Sequence, residues 1–350
     1  MSETAKFNLY LPGLNNLQNE NLNLVSADIR ADKTTFNYYY IKGGVLELQK
    51  ENTYNTFDFS SFSEMLSHFL NENKLEKPSK LSLGVPGPVI NGKCLAERLP
   101  WALIGEEIKN ESGVEAVYLI NDMEATAYFM GNLTSHCLLP IYEHGGISDG
   151  NVAILSPGNG LGEAGMFWDG KYLRPFATEG GHSEFSPRTD VEVEFYQYLK
   201  AIYGIVSWES VLSKEGLFNI YRFLRDVKRH KEPEWLTAKI QQGEDFTEVI
   251  CASAMEEKEM ICKLTMETFI DFLAREANSL VLKLKATGGL IIGGDIPLSI
   301  KNYIDKEKFY KKFIISDKME SLLKDVNIYI LLNDKTIAAG AAYYGAFHSN

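Results

Sequence analysis

Short apolar runs alternate with longer stretches of helical spacing along this chain, a pattern typical of an α/β protein. The 350 residues exceed the usual size of one hydrophobic core, so two lobes are expected. Apolar runs and alternating stretches predict strands within 25–48 and at 81–85, 117–120, 151–155 and 290–292. Apolar residues at helical spacing predict helices at 62–71, 191–203, 215–228, 235–241, 257–285 and 333–347. The alternation of Phe7, Leu9 and Leu11 predicts an added edge strand.

One strand-to-helix junction carries side chains suited to chemistry. The apolar strand at 117–120 leads into Asn121 and Asp122, after which Ala125 and Tyr128 follow helical spacing. Ligands of open α/β sheets collect beyond the carboxyl ends of the strands, where Asp122 could accept a proton from a hydroxyl nucleophile. Aspartate is also a preferred helix N-cap, and these residues alone favour the cap over the base.

A glycine-rich segment at 156–162 follows the strand predicted at 151–155 and precedes an alternating stretch, so it predicts a hairpin. Glycines lack a Cβ atom, which lets backbone N–H groups approach an anion, and successive amides can surround phosphate oxygens. A tight turn without a ligand is the alternative. The segment is not a P-loop, because no Gly-Lys-Ser/Thr follows and no helix opens there.

Two later segments supply polar side chains. Glu179 and His182 flank a Gly-Gly pair, and Glu209 lies within 207–213. Carboxylates and an imidazole beside accessible backbone suit the alternating donors and acceptors of a sugar ring, and an ordinary surface loop is the alternative. His182 and Glu184 match half of the zinc deaminase signature, but no Pro-Cys-x-x-Cys occurs in the chain.

Composition narrows the class of protein. The content of 45% hydrophobic and 12% aromatic residues is ample for globular cores. A net charge of −12 argues against a nucleic-acid-binding protein, because phosphate contacts require basic surface. The four cysteines are scattered without a Cys-x-x-Cys and predict reduced thiols in the cytoplasm. No apolar run of about 18 residues and no secretion signal is evident, so neither a membrane span nor export is expected.

The order of these motifs resembles that of the bacterial-type glucokinase family, within the sugar kinase, Hsp70 and actin superfamily. Segments similar to the family's Gly-Pro, hairpin and Leu-Pro-Trp motifs precede the Asn-Asp junction, at 83–88, 91–93 and 99–101. The glycine hairpin, the Glu-Gly-Gly-His segment, Glu209, a Gly-Gly pair and a closing helix rich in Ala and Gly follow it in the family's order. The resemblance covers the chain from residue 22 to the C-terminus.

The resemblance implies a two-lobed ribonuclease H-like fold, as in actin-like ATPases, with mixed central sheets flanked by helices. The active site would lie in the cleft between the lobes. The small α/β lobe would span residues 1–120, with an N-terminal extension at 1–21, and the C-terminal helix at 334–350 would complete it. The large α/β lobe would span residues 121–333.

The resemblance further implies a cytoplasmic enzyme of glycolysis that transfers the γ-phosphoryl group of ATP to the 6-hydroxyl of glucose. Asp122 would take the proton from that hydroxyl. The residues that would hold the other sugar hydroxyls are Asn121, Glu179, His182 and Glu209. No nucleic-acid or membrane partner is implied, and the oligomeric state stays open, with a homodimer as one candidate.

On the nucleotide side, the resemblance implies a phosphate hairpin and an adenosine site. The hairpin would be formed by Gly158, Asn159, Gly160 and Gly162. Gly293 and Gly294 would make room for the adenosine, since they have no side chains. Asp28 matches the acidic residue of the family's first phosphate motif, near the Mg²⁺ that ATP carries, and no residue is implied as a certain metal ligand.

The first phosphate motif departs from that of the relatives. Residues 27–33 read Ala-Asp-Ile-Arg-Ala-Asp-Lys, where relatives usually read Gly-Asp-Ile-Gly-Gly-Thr-Asn. Since only glycine enters positive φ freely, Arg30 and Ala31 predict a turn that changes shape or bears strain of ~1–2 kcal/mol per residue. Arg30 or Lys33 could reach the phosphates with side-chain charge, and a solvated hairpin is the alternative.

Three smaller departures lie near the expected ligands. They are Glu97-Arg98 before the Leu-Pro-Trp motif, Asn159 in place of Thr, and Asp295 after the Gly-Gly pair. Two alternatives to a glucokinase therefore stay open: a sugar-binding regulator or sensor with impaired nucleotide use, and a kinase for another hexose.

Overall fold

The computed structural model describes residues 7–14, 21–96, 99–133, 135–145, 149–243 and 245–348. The chain divides into two compact units, of which the first comprises Met1–Thr134, Lys171–Ala177 and Lys335–Asn350. The second comprises Ser135–Gly170 and Thr178–Asp334. This division differs from the boundary predicted after residue 120, because it gives residues 121–134 and 171–177 to the first unit. Glu97 and Arg98 lie outside the described residues, as do 1–6 and 15–20 of the expected extension.

Strands form at each place where apolar runs and alternating stretches of the sequence predict them, and further strands that the sequence did not predict include those at 138–142, 173–178 and 328–331. The strands expected at 81–85, 117–120, 151–155 and 290–292 are all present, within one or two residues of those bounds. In chain order the strands are β1 (Asn21–Ile29), β2 (Lys33–Lys42), β3 (Val45–Asn55), β4 (Lys80–Val85), β5 (Lys93–Cys94), β6 (Leu103–Ile104), β7 (Ala116–Asn121), β8 (Leu138–Tyr142), β9 (Val152–Pro157), β10 (Leu161–Trp168), β11 (Leu173–Thr178), β12 (Gly289–Ile292) and β13 (Ile328–Leu331).

Several helices begin at a side chain that caps their first backbone N–H groups, such as Ser61, Thr189 and Ser213. In chain order the helices are α1 (Phe62–Glu72), α2 (Gly105–Ser112), α3 (Asp122–Phe129), α4 (Asp190–Tyr203), α5 (Lys214–Asp226), α6 (Glu234–Gln241), α7 (Phe246–Met255), α8 (Met260–Leu284), α9 (Asp295–Ser299), α10 (Lys306–Phe313), α11 (Glu320–Leu323) and α12 (Thr336–Phe347). Short 3₁₀ turns lie at Thr56–Asp58, Met130–Asn132, Ser135–Cys137 and Gly180–His182. The six predicted helices are confirmed; the sequence did not predict α2, α7 or α9 to α11.

The first unit contains a sheet with the strand order β3-β2-β1-β4-β7. β1, β4 and β7 run parallel, whereas β2 and β3 follow as antiparallel hairpins. α12 packs on β1, β4 and α3. The parallel strands bring their carboxyl ends to one edge of the sheet, where Asp28 pairs with Gly84 and Val85 with Asn121. Two of the expected site segments therefore share this edge.

The second unit contains a mixed sheet in which β10, β9, β12, β13 and β8 are neighbours in that order. β9, β12 and β13 run parallel, and β10 and β8 are antiparallel to their neighbours. The 25-residue α8 packs against α5, α7 and α10 and supplies much of the buried core. Leu155 pairs with Ile292, so the segments after β9 and β12 start from the same edge of the sheet.

The N-terminal segment forms less than the predicted edge strand. Leu9 makes a single parallel bridge with Leu173, in which Tyr10 N–H donates to the Leu173 carbonyl at 2.9 Å. Phe7 and Leu9 are buried, which explains their alternation in the sequence. Among the residues that the structure describes, no helix combines the length and apolar character needed to cross a membrane.

Candidate functional site

The junction between β7 and α3 holds Asn121 and Asp122. Asn121 Oδ1 accepts hydrogen bonds from Met123 N at 2.9 Å and Glu124 N at 3.2 Å, and its Nδ2 donates to the Gly87 carbonyl at 3.1 Å. Asn121 is therefore the N-cap of α3, so the alternative in which Asp122 serves as the cap is wrong. Asp122 is half-buried, and its Oδ1 accepts from Met123 N at 2.8 Å. The helix does not need Asp122 for its cap.

α3 is held in place by the closing helix α12. A Cβ atom at Gly340 would lie 1.7 Å from the Ala125 carbonyl oxygen, so the two helix backbones touch directly. The hydroxyls of Thr126 and Thr336 lie 3.1 Å apart and form a hydrogen bond. The small residues of α12 thus position the helix that starts at Asp122.

The first hairpin turns without the glycines of the relatives. Arg30 N–H donates to the Lys33 carbonyl at 2.9 Å, which leaves a two-residue turn at 31–32. The residues of this turn, all described, have no positive φ. Thr56 supports the turn, since its N–H donates to the Asp32 carbonyl at 3.2 Å and its hydroxyl to the Arg30 carbonyl at 2.8 Å. The turn therefore differs in shape from the glycine turn of the relatives, and none of its residues has the strained left-handed conformation.

Asp28 and Arg30 form an ion pair beside this turn. Arg30 Nη2 lies 2.8 Å and Nε 3.0 Å from Asp28 Oδ2, and Asp28 is only 12% exposed. A guanidinium that contacts a partly buried carboxylate through two nitrogens is a charge-assisted interaction of the stronger kind. Arg30, which stands where relatives have glycine, thus places a positive charge next to Asp28, the carboxylate expected to face the phosphates.

In the second unit, the glycine hairpin between β9 and β10 is joined to Glu209. Gly158 N–H donates to the Gly160 carbonyl at 2.8 Å, and Leu161 N–H donates to Glu209 Oε2 at 3.0 Å. A Cβ atom at Gly160 would lie 2.5 Å from that same carboxylate oxygen. The hairpin predicted from the sequence is confirmed, and its glycine at 160 leaves room for the Glu209 carboxylate.

The Glu-Gly-Gly-His segment packs against the same hairpin. Glu209 N–H donates to the Gly181 carbonyl at 2.9 Å, and a Cβ at Gly181 would lie 2.2 Å from the Leu161 carbonyl oxygen. His182 N–H donates to the Glu179 carbonyl at 3.1 Å, which closes the turn. The Glu179 and His182 side chains are exposed and that of Glu209 is half-buried. The expected sugar-binding residues of this unit therefore belong to one connected cluster.

The Gly-Gly pair after β12 lies against the start of the hairpin. Gly293 N–H donates to the Leu155 carbonyl at 2.8 Å. Gly294 has a φ of +90°, and a Cβ there would lie 2.3 Å from the Pro157 carbonyl oxygen, so both backbone conformation and space require glycine. The pair therefore fixes where α9 starts, with Asp295 as its first residue.

A cavity of about 270 Å³ opens beside these segments. Its lining combines the apolar side chains of Ala252, Met255 and Ile296 with the polar side chains of Lys214, Thr247 and Asp295. Lys214 N–H donates to the Gly158 carbonyl at 2.9 Å, and its Nζ lies 3.2 Å from Asp245 Oδ2. An apolar cleft with a few polar groups is typical of small-molecule sites.

Sequence reasoning missed two kinds of residue at this site. Lys214 links the hairpin to the cavity through its backbone, and no side-chain pattern signals that role. Glu163 and Glu276 are buried, and Glu163 lies in an otherwise apolar segment. A carboxylate in such a segment is an unusual residue at a core position, so it was a usable signal.

Comparison with known proteins identifies the family of this chain. A protein-family model described as glucokinase matches residues 25–348. The glucokinase of Nostoc punctiforme is 30% identical over 308 residues, which cover 85% of this chain and 90% of the relative.

Two solved structures share the fold. A glucokinase from an Antarctic psychrotroph superimposes with a TM-score of 0.77 at 24% identity, covering 92% of this chain and 98% of the other. A ROK family glucokinase from Streptomyces griseus, in complex with glucose and AMPPNP, gives a TM-score of 0.62 at 14% identity, covering 92% and 99%. The expected α/β fold of the actin-like ATPase type is confirmed.

Proposed function

The chain belongs to the glucokinase family, and we propose that it transfers the γ-phosphoryl group of ATP to the 6-hydroxyl of glucose. The products are glucose 6-phosphate and ADP. The observation that carries this proposal is the connected cluster of the second unit, in which Glu209 contacts both the glycine hairpin and the Gly180–His182 turn. Product analysis by phosphorus NMR after incubation with glucose and ATP tests it. A phosphate on any hydroxyl other than the sixth would contradict it.

Asp122 is proposed as the general base. The sugar O6 forms a bond to the γ-phosphorus as the bond from that phosphorus to the ADP oxygen breaks, and Asp122 takes the O6 proton. Phosphoryl transfer depends mainly on alignment and charge stabilisation, so a positioned carboxylate and oriented donors are the main requirements. The Asn121 cap and the Gly340 contact support this role, because they fix the start of α3.

The sugar hydroxyls are proposed to bind Asn121, Glu179, His182 and Glu209. Glu209 Oε2 accepts a backbone N–H, and its other oxygen can accept from a hydroxyl. Asn121 has two amide protons, of which the bond to Gly87 uses one, so the second can donate to a hydroxyl. Carboxylates accept hydrogen bonds and amide NH₂ groups donate them, and a sugar hydroxyl can take part in both kinds of bond.

The nucleotide is proposed to bind along the glycine hairpin and in the cavity beside it. Gly158, Asn159, Gly160 and Gly162 would face the phosphates, with Gly293 and Gly294 beside the adenosine. The open space at Gly158, where no described atom lies within 4 Å of a Cβ position, supports this assignment.

Mg²⁺ is proposed to accompany ATP near Asp28, whose carboxylate oxygens are ligands of the type that this ion prefers. The Arg30 side chain beside it is 25% exposed and flexible, so it can move aside and leave Asp28 as one ligand of the ion. When bound, Mg²⁺ would neutralise part of the phosphate charge. None of the four cysteines, all of which are described, is joined in a disulfide, which supports placing the enzyme in the reducing cytoplasm. Phosphorylation of glucose would place it in glycolysis.

Arg30→Ala is expected to weaken ADP binding by about tenfold, because a guanidinium that can contact phosphate is lost. Isothermal calorimetry with ADP in the presence of Mg²⁺ measures this change without turnover. Lys42→Ala is the matched control, since it removes the same charge from an exposed position at the other end of β2. An Arg30→Ala affinity equal to that of the wild type, or tighter, would contradict a phosphate-binding role for Arg30.

Gly160→Ala is expected to weaken glucose binding by about tenfold, because the new methyl group displaces the Glu209 carboxylate and breaks its bond to Leu161 N–H. Calorimetric titration with glucose, without nucleotide, measures the effect. Gly158→Ala adds the same methyl group where space is open, so its glucose affinity should match the wild type. Equal affinities of the two variants would show that Glu209 does not bind the sugar.

Two other functions are alternatives, and a specific observation favours the first of them. The Asp28–Arg30 pair favours a sugar-binding regulator with impaired nucleotide use, because it occupies the carboxylate expected to face the phosphates. A kinase for another hexose remains the second alternative. Turnover measured with glucose, mannose, fructose and glucosamine as acceptors separates these functions: a regulator phosphorylates none, and a different kinase prefers a sugar other than glucose.

A further inference from the structure

Two carboxyl groups are buried together in the second unit. Glu163 in β10 is 1% exposed, and Glu276 in α8 is fully buried. Glu276 Oε1 lies 3.2 Å from Lys283 Nζ. Among the described residues, no hydrogen-bond donor lies within reach of Glu163 Oε1 or Glu276 Oε2. Buried polar atoms are rarely left without a partner, so these two oxygens require an explanation.

A shared proton supplies that explanation. Burial first, and then the charge of Glu163, raise the pKa of Glu276 to about 8. Burial also raises the pKa of Glu163, while Lys283 acts in the opposite direction. Two neighbouring carboxylates in a dry interior repel each other, so one of them keeps its proton at neutral pH. That proton can join the two otherwise unpartnered oxygens.

Glu163 also contacts the Glu-Gly-Gly-His segment directly. A Cβ atom at Gly180 would lie 1.9 Å from Glu163 Oε2, so the backbone of the turn rests on this carboxyl group. The Thr178 hydroxyl donates to the Glu163 carbonyl at 3.1 Å and accepts from Gly180 N–H at 3.2 Å. The position of the turn is therefore set by the position of the Glu163 side chain and its backbone.

We propose that Glu163 and Glu276 share one proton and act as a positioning pair, which holds the Gly180–His182 turn in the arrangement that binds the hexose. This inference rests on the proposed function, since it assigns the turn to sugar binding. Neither residue touches the sugar. The pair acts through Gly180, and loss of its hydrogen bond would let the turn and the flanking Glu179 and His182 shift.

The pair also predicts a dependence on pH. The charged groups that act on it are Lys283 and Arg275, both from α8. The folded protein keeps the shared proton up to about pH 8, whereas the unfolded chain loses it at the ordinary value of 4.5. The stabilisation is thus fully present below pH 4.5 and is lost as the pH rises toward 8. Above that range two carboxylates repel each other beneath the turn.

Substitutions of Glu163 distinguish the proposed positioning role of the pair from a general contribution to core packing. Glu163→Ala is expected to weaken glucose binding by about tenfold with the affinity for ADP unchanged, because the support under Gly180 is lost. Glu163→Gln should restore glucose affinity, since its amide can donate to Glu276 without a shared proton. A folded Glu163→Ala variant with wild-type glucose affinity, or a Glu163→Gln variant as weak as Glu163→Ala, would overturn the proposal.

Glu276→Gln tests the proton itself, because its amide donates to the Glu163 carboxylate at every pH. Wild-type glucose affinity should fall above about pH 8, and that of Glu276→Gln should not. The thermal midpoint of Glu276→Gln minus that of the wild type should rise between pH 5 and 8, a readout that needs no sugar. Parallel midpoints would overturn the shared proton. A wild type that binds no glucose would instead contradict the proposed function and leave the midpoint comparison decisive for the pair.

Discussion

Asp122→Asn is expected to lower the turnover of glucose and ATP by ~10²–10⁴-fold, because the amide cannot take the proton from the sugar hydroxyl. Glucose affinity should stay close to that of the wild type. The asparagine retains an oxygen that can accept from Met123 N–H, and Asn121 still caps α3, so the local structure is preserved. Steady-state kinetics give the turnover, and calorimetry without nucleotide gives the glucose affinity.

Glu124→Gln is the matched control for this change. Glu124 lies in the same first turn of α3, and burial raises its pKa to about 7. The substitution replaces a carboxylate with its isosteric amide next to the reacting position, so it tests whether any lost charge on this turn affects turnover. Turnover in Glu124→Gln should remain near that of the wild type. Comparable losses of turnover in both variants would show that Asp122 is not the general base.

Gly340→Ala is expected to lower the free energy of unfolding by about 3 kcal/mol, because the new methyl group would overlap the backbone of α3. Its Cβ would lie 1.7 Å from the Ala125 carbonyl oxygen and 3.0 Å from Phe129 N. Neither atom belongs to a flexible side chain, so one of the two helices must move. Denaturant unfolding measures the loss, and turnover should fall as well, because α3 carries Asp122.

Gly105→Ala is the control for Gly340→Ala. Gly105 is the first residue of α2 in the same unit, and its nearest atom to a new Cβ, the Gly92 carbonyl oxygen, is 3.4 Å away. Alanine in a helix is favoured over glycine, so this variant should be as stable as the wild type or slightly more stable. An equal loss in both variants would show that the contact between α12 and α3 is not the cause.

The sequence predicts the elements that local pattern controls. Apolar runs such as 151–155 and 290–292 are long enough to mark strands, and the change of spacing after Asp122 marks the start of α3. The glycine hairpin follows from the same kind of local signal. The order of motifs predicts the family, because several weak signals in sequence are more specific than any one of them.

The sequence could not predict contacts between distant segments. Asn121 and Asp122 are both acceptable caps, and only the backbone geometry of the junction assigns the cap to Asn121. The altered turn at 31–32 depends on Thr56, which lies beyond β3 and shows no local signal. Tertiary support of this kind decides a turn shape that local propensity leaves open.

The central claim is that this chain phosphorylates glucose with ATP. The most direct test measures glucose-dependent ADP formation by the purified protein, together with glucose 6-phosphate in the same samples. The account predicts equal amounts of the two products, at a rate that depends on both glucose and ATP. Glucose binding without either product, or ADP formation that does not depend on glucose, would contradict it.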